Sequence, residues 1–173
     1  MSSAIIRMLS YRPGVLVLAV LWLVFQPAAT VAASDANDGV SGRPQSLPTE
    51  SLAIITSHGR ATFRVMVADN DLTREIGLMY RKHMGRSEGM IFDFHDPQPV
   101  TFWMENTILP LDIIFIDAGG RVVNIAANAR PFDRSYLPSN GPVRAVLEIN
   151  GGLASRLGVQ PGDRVVDERI YRR

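Results

Sequence analysis

Leu111-Asp112-Ile113-Ile114-Phe115-Ile116 is an apolar run of strand length, broken only by one aspartate. It ends at Asp117-Ala118-Gly119-Gly120, where aspartate at the first position and glycine at the fourth suit a type I turn. A strand without a polar face has to be covered on both sides. The rest of the chain must therefore supply two layers of cover, and Arg121 to Ala126 should return antiparallel as part of the same sheet.

Strand signals dominate elsewhere. Ala53 to Thr56 and Ala61 to Ala68 flank Ser57-His58-Gly59, and Phe63, Val65 and Val67 share one face of the second strand. Met90, Phe92 and Phe94 alternate with Ile91 and Asp93. After a turn at His95 to Pro99, Val100, Phe102 and Met104 alternate with Thr101 and Trp103. Val143 to Ile149 and Arg164 to Asp167 complete the strands, and Arg130 to Pro142 reads as a loop. Leu72, Ile76 and Met79 fall on one helix stripe, with Asn70 as N-cap and Gly77 placed for close approach to the sheet. Asn150 is expected to cap a short helix running to Leu157, with Gly158 at its end. The class is mainly β: a compact antiparallel sandwich or barrel-like core with one or two short covering helices.

The first 33 residues read as a secretory signal. Arg7 and Arg12 give a positive start, Gly14 to Phe25 is a polar-free stretch of 12 residues, and Val31-Ala32-Ala33 offers a cleavage site after Ala33. The apolar stretch is shorter than the roughly 20 residues of a spanning helix, so no stable membrane insertion is expected after cleavage. Residues 34–51 are rich in Ser, Asp, Asn, Gly and Pro and read as a flexible linker of little consequence for stability. Residues 52–173 are then one domain. An exported chain without cysteine must be held by its core alone. Its 18 basic and 17 acidic residues nearly balance, and loss of Arg7 and Arg12 leaves one net negative charge. That balance points away from nucleic-acid partners.

Phe102-Trp103-Met104-Glu105-Asn106-Thr107-Ile108-Leu109-Pro110-Leu111-Asp112 carries the chain from an aromatic run through a polar triplet into the apolar strand. With it come Gly77-Leu78-Met79-Tyr80-Arg81, Gly89-Met90-Ile91-Phe92, Ile113-Ile114-Phe115-Ile116-Asp117 and Leu147-Glu148-Ile149-Asn150-Gly151-Gly152. From about Phe63 to Val166 these motifs, in this order, resemble the bacterial and archaeal family called domain of unknown function 192. The resemblance implies an all-β, sandwich-like core, and no chemistry.

The residues themselves offer two candidate centres. Trp103, Asn106, Thr107 and Asp112 form either a recognition corner or a turn pinned by side chains that bond nearby backbone. Glu148 is an acid inside an apolar strand, which must be hydrogen-bonded, paired or shifted towards its neutral form. Arg81 is the expected cation for it, and Asn106, Asp112 and Glu148 are expected to converge. The favoured function is a binding module for a saccharide or an envelope peptide, with Trp103 stacking and the polar groups orienting. The alternatives are an envelope hydrolase using Asp112 and Glu148 as acid and base, and a structural or protein-contact module.

Other chemistry is poorly supported. Met79, Met84, Met90 and Met104 place four thioethers within 26 residues, but Met79, Met90 and Met104 fall at core-facing periods where methionine fills gaps, and His83 beside Met84 is the nearest approach to the spacing of a copper site. His58, His83 and His95 lie in turns without zinc spacing. No nucleophile elbow or phosphate loop is present. No cofactor or metal is expected.

Overall fold

The computed structural model describes residues 42–167 and 169–171. Residues 1–41, on which the expected signal segment and cleavage site fall, lie outside them. No helix among the described residues is long and apolar enough to cross a membrane.

β1 (Thr49–Thr56) and β2 (Gly59–Ala68) form a hairpin across Ser57-His58. α1 (Asp71–Ile76) follows, and its cap is reciprocal: the Asn70 side chain accepts from the Thr73 amide, while the Thr73 hydroxyl accepts from the Asn70 amide. Gly77 then turns the chain with φ of +50°, and a Cβ there would lie 3.2 Å from the Phe92 ring. The glycine is required twice, by conformation and by close approach.

β3 (Glu88–Phe102) pairs in parallel with β2, α1 being part of the crossover. β4 (Leu111–Ile116), β5 (Val122–Ala129) and β6 (Leu137–Asn150) add antiparallel pairings. α2 (Leu153–Leu157) and β7 (Arg164–Asp167) end the domain. The sheet order is β5-β4-β6-β3-β2-β1-β7.

The two edges of this sheet approach each other. Arg121 bridges Arg164, Val165 N–H donates to the Gly120 carbonyl at 2.7 Å, and Gly162 N–H donates to the Val122 carbonyl at 2.8 Å. The sheet is curled into a half-barrel. One apolar cluster draws on all seven strands, including Ile54, Val65, Ile91, Ile114, Leu147 and Val165, and fills the concave side under α2. A second cluster on the outer face joins Met90, Phe92, Ile113, Phe115 and Val146 to Leu78 and Met104. Every residue of β4 is buried, as its sequence requires. Each fully buried Ile or Leu removes apolar area worth ~1.5–3 kcal/mol.

Three expectations change. The predicted turn at 95–99 is an irregularity inside a continuous β3: His95 takes φ of +63°, and the Asp93 carboxylate accepts its amide at 2.8 Å. Pro97 and Pro99 fit because β2 has already left that flank of β3, so no ladder donor is missing there. The predicted loop at 130–142 becomes strand from Leu137, with the buried Ser139 hydroxyl accepting Val100 N–H where the register shifts. The linker boundary is earlier than Leu52. Gln45 is buried and donates to the Thr73 and Gly77 carbonyls, so the last residues of the expected linker close the C-terminal end of α1.

Candidate ligand-binding cleft

In the ladder between β4 and β6, Ile113 faces Glu148 and Asp112 faces Ile149. Successive residues of a strand point to opposite faces. Glu148 therefore belongs with Ile113 on the outer face, and Asp112 with Ile149 and Ile114 on the concave one. The expected convergence of Asp112 with Glu148 does not occur. A one-residue difference in register decides it.

Asp112 is fully buried, and its carboxylate is completely engaged. One oxygen accepts Asn128 N–H at 2.7 Å and Gly152 N–H at 2.9 Å, and the other accepts Ala154 N–H at 2.7 Å. It thereby caps α2 from a neighbouring strand, since Gly152 at the N-cap has no side chain to do so. The expected cap, Asn150, instead donates to the Met84 and Gly85 carbonyls. The structure gives Asp112 a holding role.

Asn106 adopts φ of +53° at a corner, a conformation asparagine tolerates better than most residues. Its carbonyl accepts Tyr80 N–H at 2.9 Å, which ties the corner to the segment after α1. Thr107 is buried and donates to the Glu105 carbonyl at 3.1 Å. Arg81 donates to the Gln45 carbonyl at 2.7 Å and lies 3.3 Å from the Met66 sulfur, so it is not the counter-ion of Glu148.

Glu148 is different. It is 4 % exposed, and among the described residues no ion pair or hydrogen bond compensates its carboxyl group. Burial alone pushes its pKa up to about 8, so the acid is mostly protonated at neutral pH. It lines a cleft of ≈ 310 Å³ on the outer face. α1 and the turn after it form one wall, through Arg74, Glu75, Leu78 and Met79. The opposite wall is aromatic: Phe92, Phe94, Phe102 and Trp103, with Thr107 beside them. Phe102 holds this wall together, edge-on to Phe92 at 5.0 Å, Phe94 at 6.4 Å and Phe115 at 5.9 Å between ring centroids.

The rim is charged. The Arg74 guanidinium sits 5.3 Å from the centroid of Phe94, donates to the Asp93 carbonyl and pairs with Asp71. Trp103, 43 % exposed, also lines a second depression with Tyr80, Glu105 and Asn106, so its indole is a ridge between two hollows. Of the residues singled out in the sequence, Trp103, Thr107 and Glu148 meet in the cleft. Asn106 lies across the ridge, while Asp112 and Arg81 stand elsewhere. Sequence reasoning missed Phe92, Phe94 and Phe102 as site residues, although their alternation before and after the irregularity at His95 is a signal that could have found the aromatic wall. Arg74 and Glu75 carry no such mark, because the seat of α1 on the sheet is tertiary, whereas Met79 belongs to the apolar stripe of that segment and lies just past the end of α1.

A half-barrel carrying an acid-floored, aromatic-walled cleft on its outer face defines a small β domain. The chain belongs to the family DUF192, uncharacterized ACR, whose family model matches residues 53–166. It is similar to a protein of unknown function from Novosphingobium aromaticivorans DSM 12444, with 46% identity and a TM-score of 0.69 over 74% of this chain and 95% of that one. It is also similar to a putative transcription regulator from Sinorhizobium meliloti 1021, with 42% identity and a TM-score of 0.69 over 72% of this chain and 98% of that one. No protein of curated function matches the chain.

Proposed function

We propose that the domain is a ligand-binding module of the cell envelope, and that the Glu148 cleft is its binding site. One observation carries this reading: a buried acid without a partner at the floor of an open apolar cleft. Such a group costs stability, and a packed apolar residue in its place is often neutral or better for folding. Retaining an acid there is useful when something enters the cleft to meet it.

The apolar walls favour a peptide side chain or another ligand with an apolar body over a saccharide, which needs more converging polar groups than Thr107, Thr101 and the rim provide. A hydrolase using Asp112 with Glu148 loses support, because its two carboxyl groups belong to opposite faces of the sheet. Export rests on the signal-like residues 1–33. The near balance of charge favours a small ligand or envelope component over nucleic acid as partner.

Replacement of the exposed indole tests the site. Trp103→Ala should stay folded and melt no more than several degrees below the parent, since the covered half of the indole contributes about 1–2 kcal/mol of packing. It should weaken by about tenfold any ligand found in a calorimetric screen of peptides and aromatic compounds. Retention of full affinity by that variant would place the ligand elsewhere.

A further inference from the structure

We propose that the group received by Glu148 is a protonated amine on an apolar body, either a small free arylalkylamine or the ammonium of a lysine-containing peptide. The inference rests on the cleft being the ligand site and goes on to name the ligand's charge. Three observations about the lining converge on it.

The first is the sign of the uncommitted charges. Arg74, Glu75 and Glu148 are the titratable groups that line the cleft. Arg74 is already engaged by Asp71 and the Asp93 carbonyl. Among the described residues no ion pair involves Glu75 or Glu148. The groups left for a ligand are both acids, one at the floor and one on α1. The strands β3 and β6 and the segment from Thr101 to Thr107 add no other titratable side chain to the lining.

The second is the wall. Four aromatic rings line the same space, one of them, Phe94, already holding the Arg74 guanidinium over its ring, and aromatic rings attract cations most strongly where water is excluded. An anionic ligand would meet those faces and two carboxyl groups with only a committed arginine in its favour. The third is size. At ≈ 310 Å³ the cleft sits at the lower end of the roughly 300–1,000 Å³ of small-molecule sites, room for a ring and a short chain and not for a folded surface.

The proton balance is explicit. The amine enters as its ammonium ion and keeps its proton. Glu148 gives its carboxyl proton to solvent and becomes the carboxylate of an ion pair. Binding therefore releases about one proton near pH 7; affinity rises with pH to about 8, where free Glu148 is itself ionised, and falls once the free amine loses its charge. A ligand that merely accepted a hydrogen bond from neutral Glu148 would show the opposite trend.

The test is isothermal titration calorimetry of the full chain with phenethylamine, with its neutral counterpart 2-phenylethanol, and with Nα-acetyl-lysine amide, each in two buffers of different ionisation heat. Phenethylamine is expected to bind about tenfold or more tighter than the alcohol, with about one proton released per ligand. Glu148→Gln should erase that preference, its own melting curve showing that it is folded. Tighter binding of the lysine amide than of phenethylamine would assign the site to peptide, and the reverse to free amines. Equal affinity for amine and alcohol, or proton uptake, would overturn the amine assignment while leaving the cleft a binding site. Absence of binding heat for all three probes would overturn the amine assignment. If Trp103→Ala also left unchanged every ligand found by the wider screen, the cleft reading would fall with it.

Discussion

Two acids in neighbouring strands take opposite solutions to the same burial. Asp112 has three amide donors on its carboxylate, whereas Glu148 has none among the described residues and is held neutral by desolvation. The folded pKa of Glu148 lies above its unfolded value of 4.5, so the native state binds the extra proton between pH 4.5 and about 8. Its contribution is fully present below pH 4.5 and is lost as pH rises through about 8. The loss is on the order of 5 kcal/mol. Glu148→Gln keeps the shape of the protonated acid and cannot ionise. Chemical denaturation from pH 5 to 9 should show the parent falling relative to this variant, and parallel curves would mean that Glu148 has a partner in solution. Asp112→Asn should behave oppositely to a site mutation. It sets an amide donor against one of three backbone donors, so about 2–3 kcal/mol of stability should disappear while binding in the Glu148 cleft stays unchanged. An unaltered melting temperature would contradict the holding role.

At the level of elements, the two helices show how short segments are fixed from outside. α2 has five residues, too few to be stable alone, and takes its cap from Asp112 in the strand beneath it. α1 supplies its own N-cap, but its C-terminal carbonyls are met by Gln45 from the segment before β1. The sequence reading assigned that segment to a passive linker from its composition. Polar, Pro-rich composition predicts a lack of core, yet one amide side chain with two carbonyls to satisfy is enough to dock it. A chain lacking residues 34–50 should therefore melt several degrees below the parent, at a few degrees for each kcal/mol in a domain of this size. A loss under about 2 °C would restore the linker reading.

For the whole molecule, the local patterns were legible and the long-range pairings were not. The fully apolar run of β4 demanded cover on both faces and has it, from the concave cluster and the outer one. Gly77 was marked for close approach and meets the Phe92 ring. Alternation, turns and cap residues are local physics, and together with the family motifs they determined a mainly β fold with short covering helices. Which strands lie side by side depends on chain closure over tens of residues, which no local period encodes. The tertiary structure alone decided that β6 sits between β3 and β4, that its register turns Glu148 outward against Ile113 and Asp112 inward, and that α1 roofs the resulting hollow. The sequence named the two acids as the residues that needed an explanation. Only the ladder could separate them, because a side chain's face is set by its partner's register and not by its own neighbours.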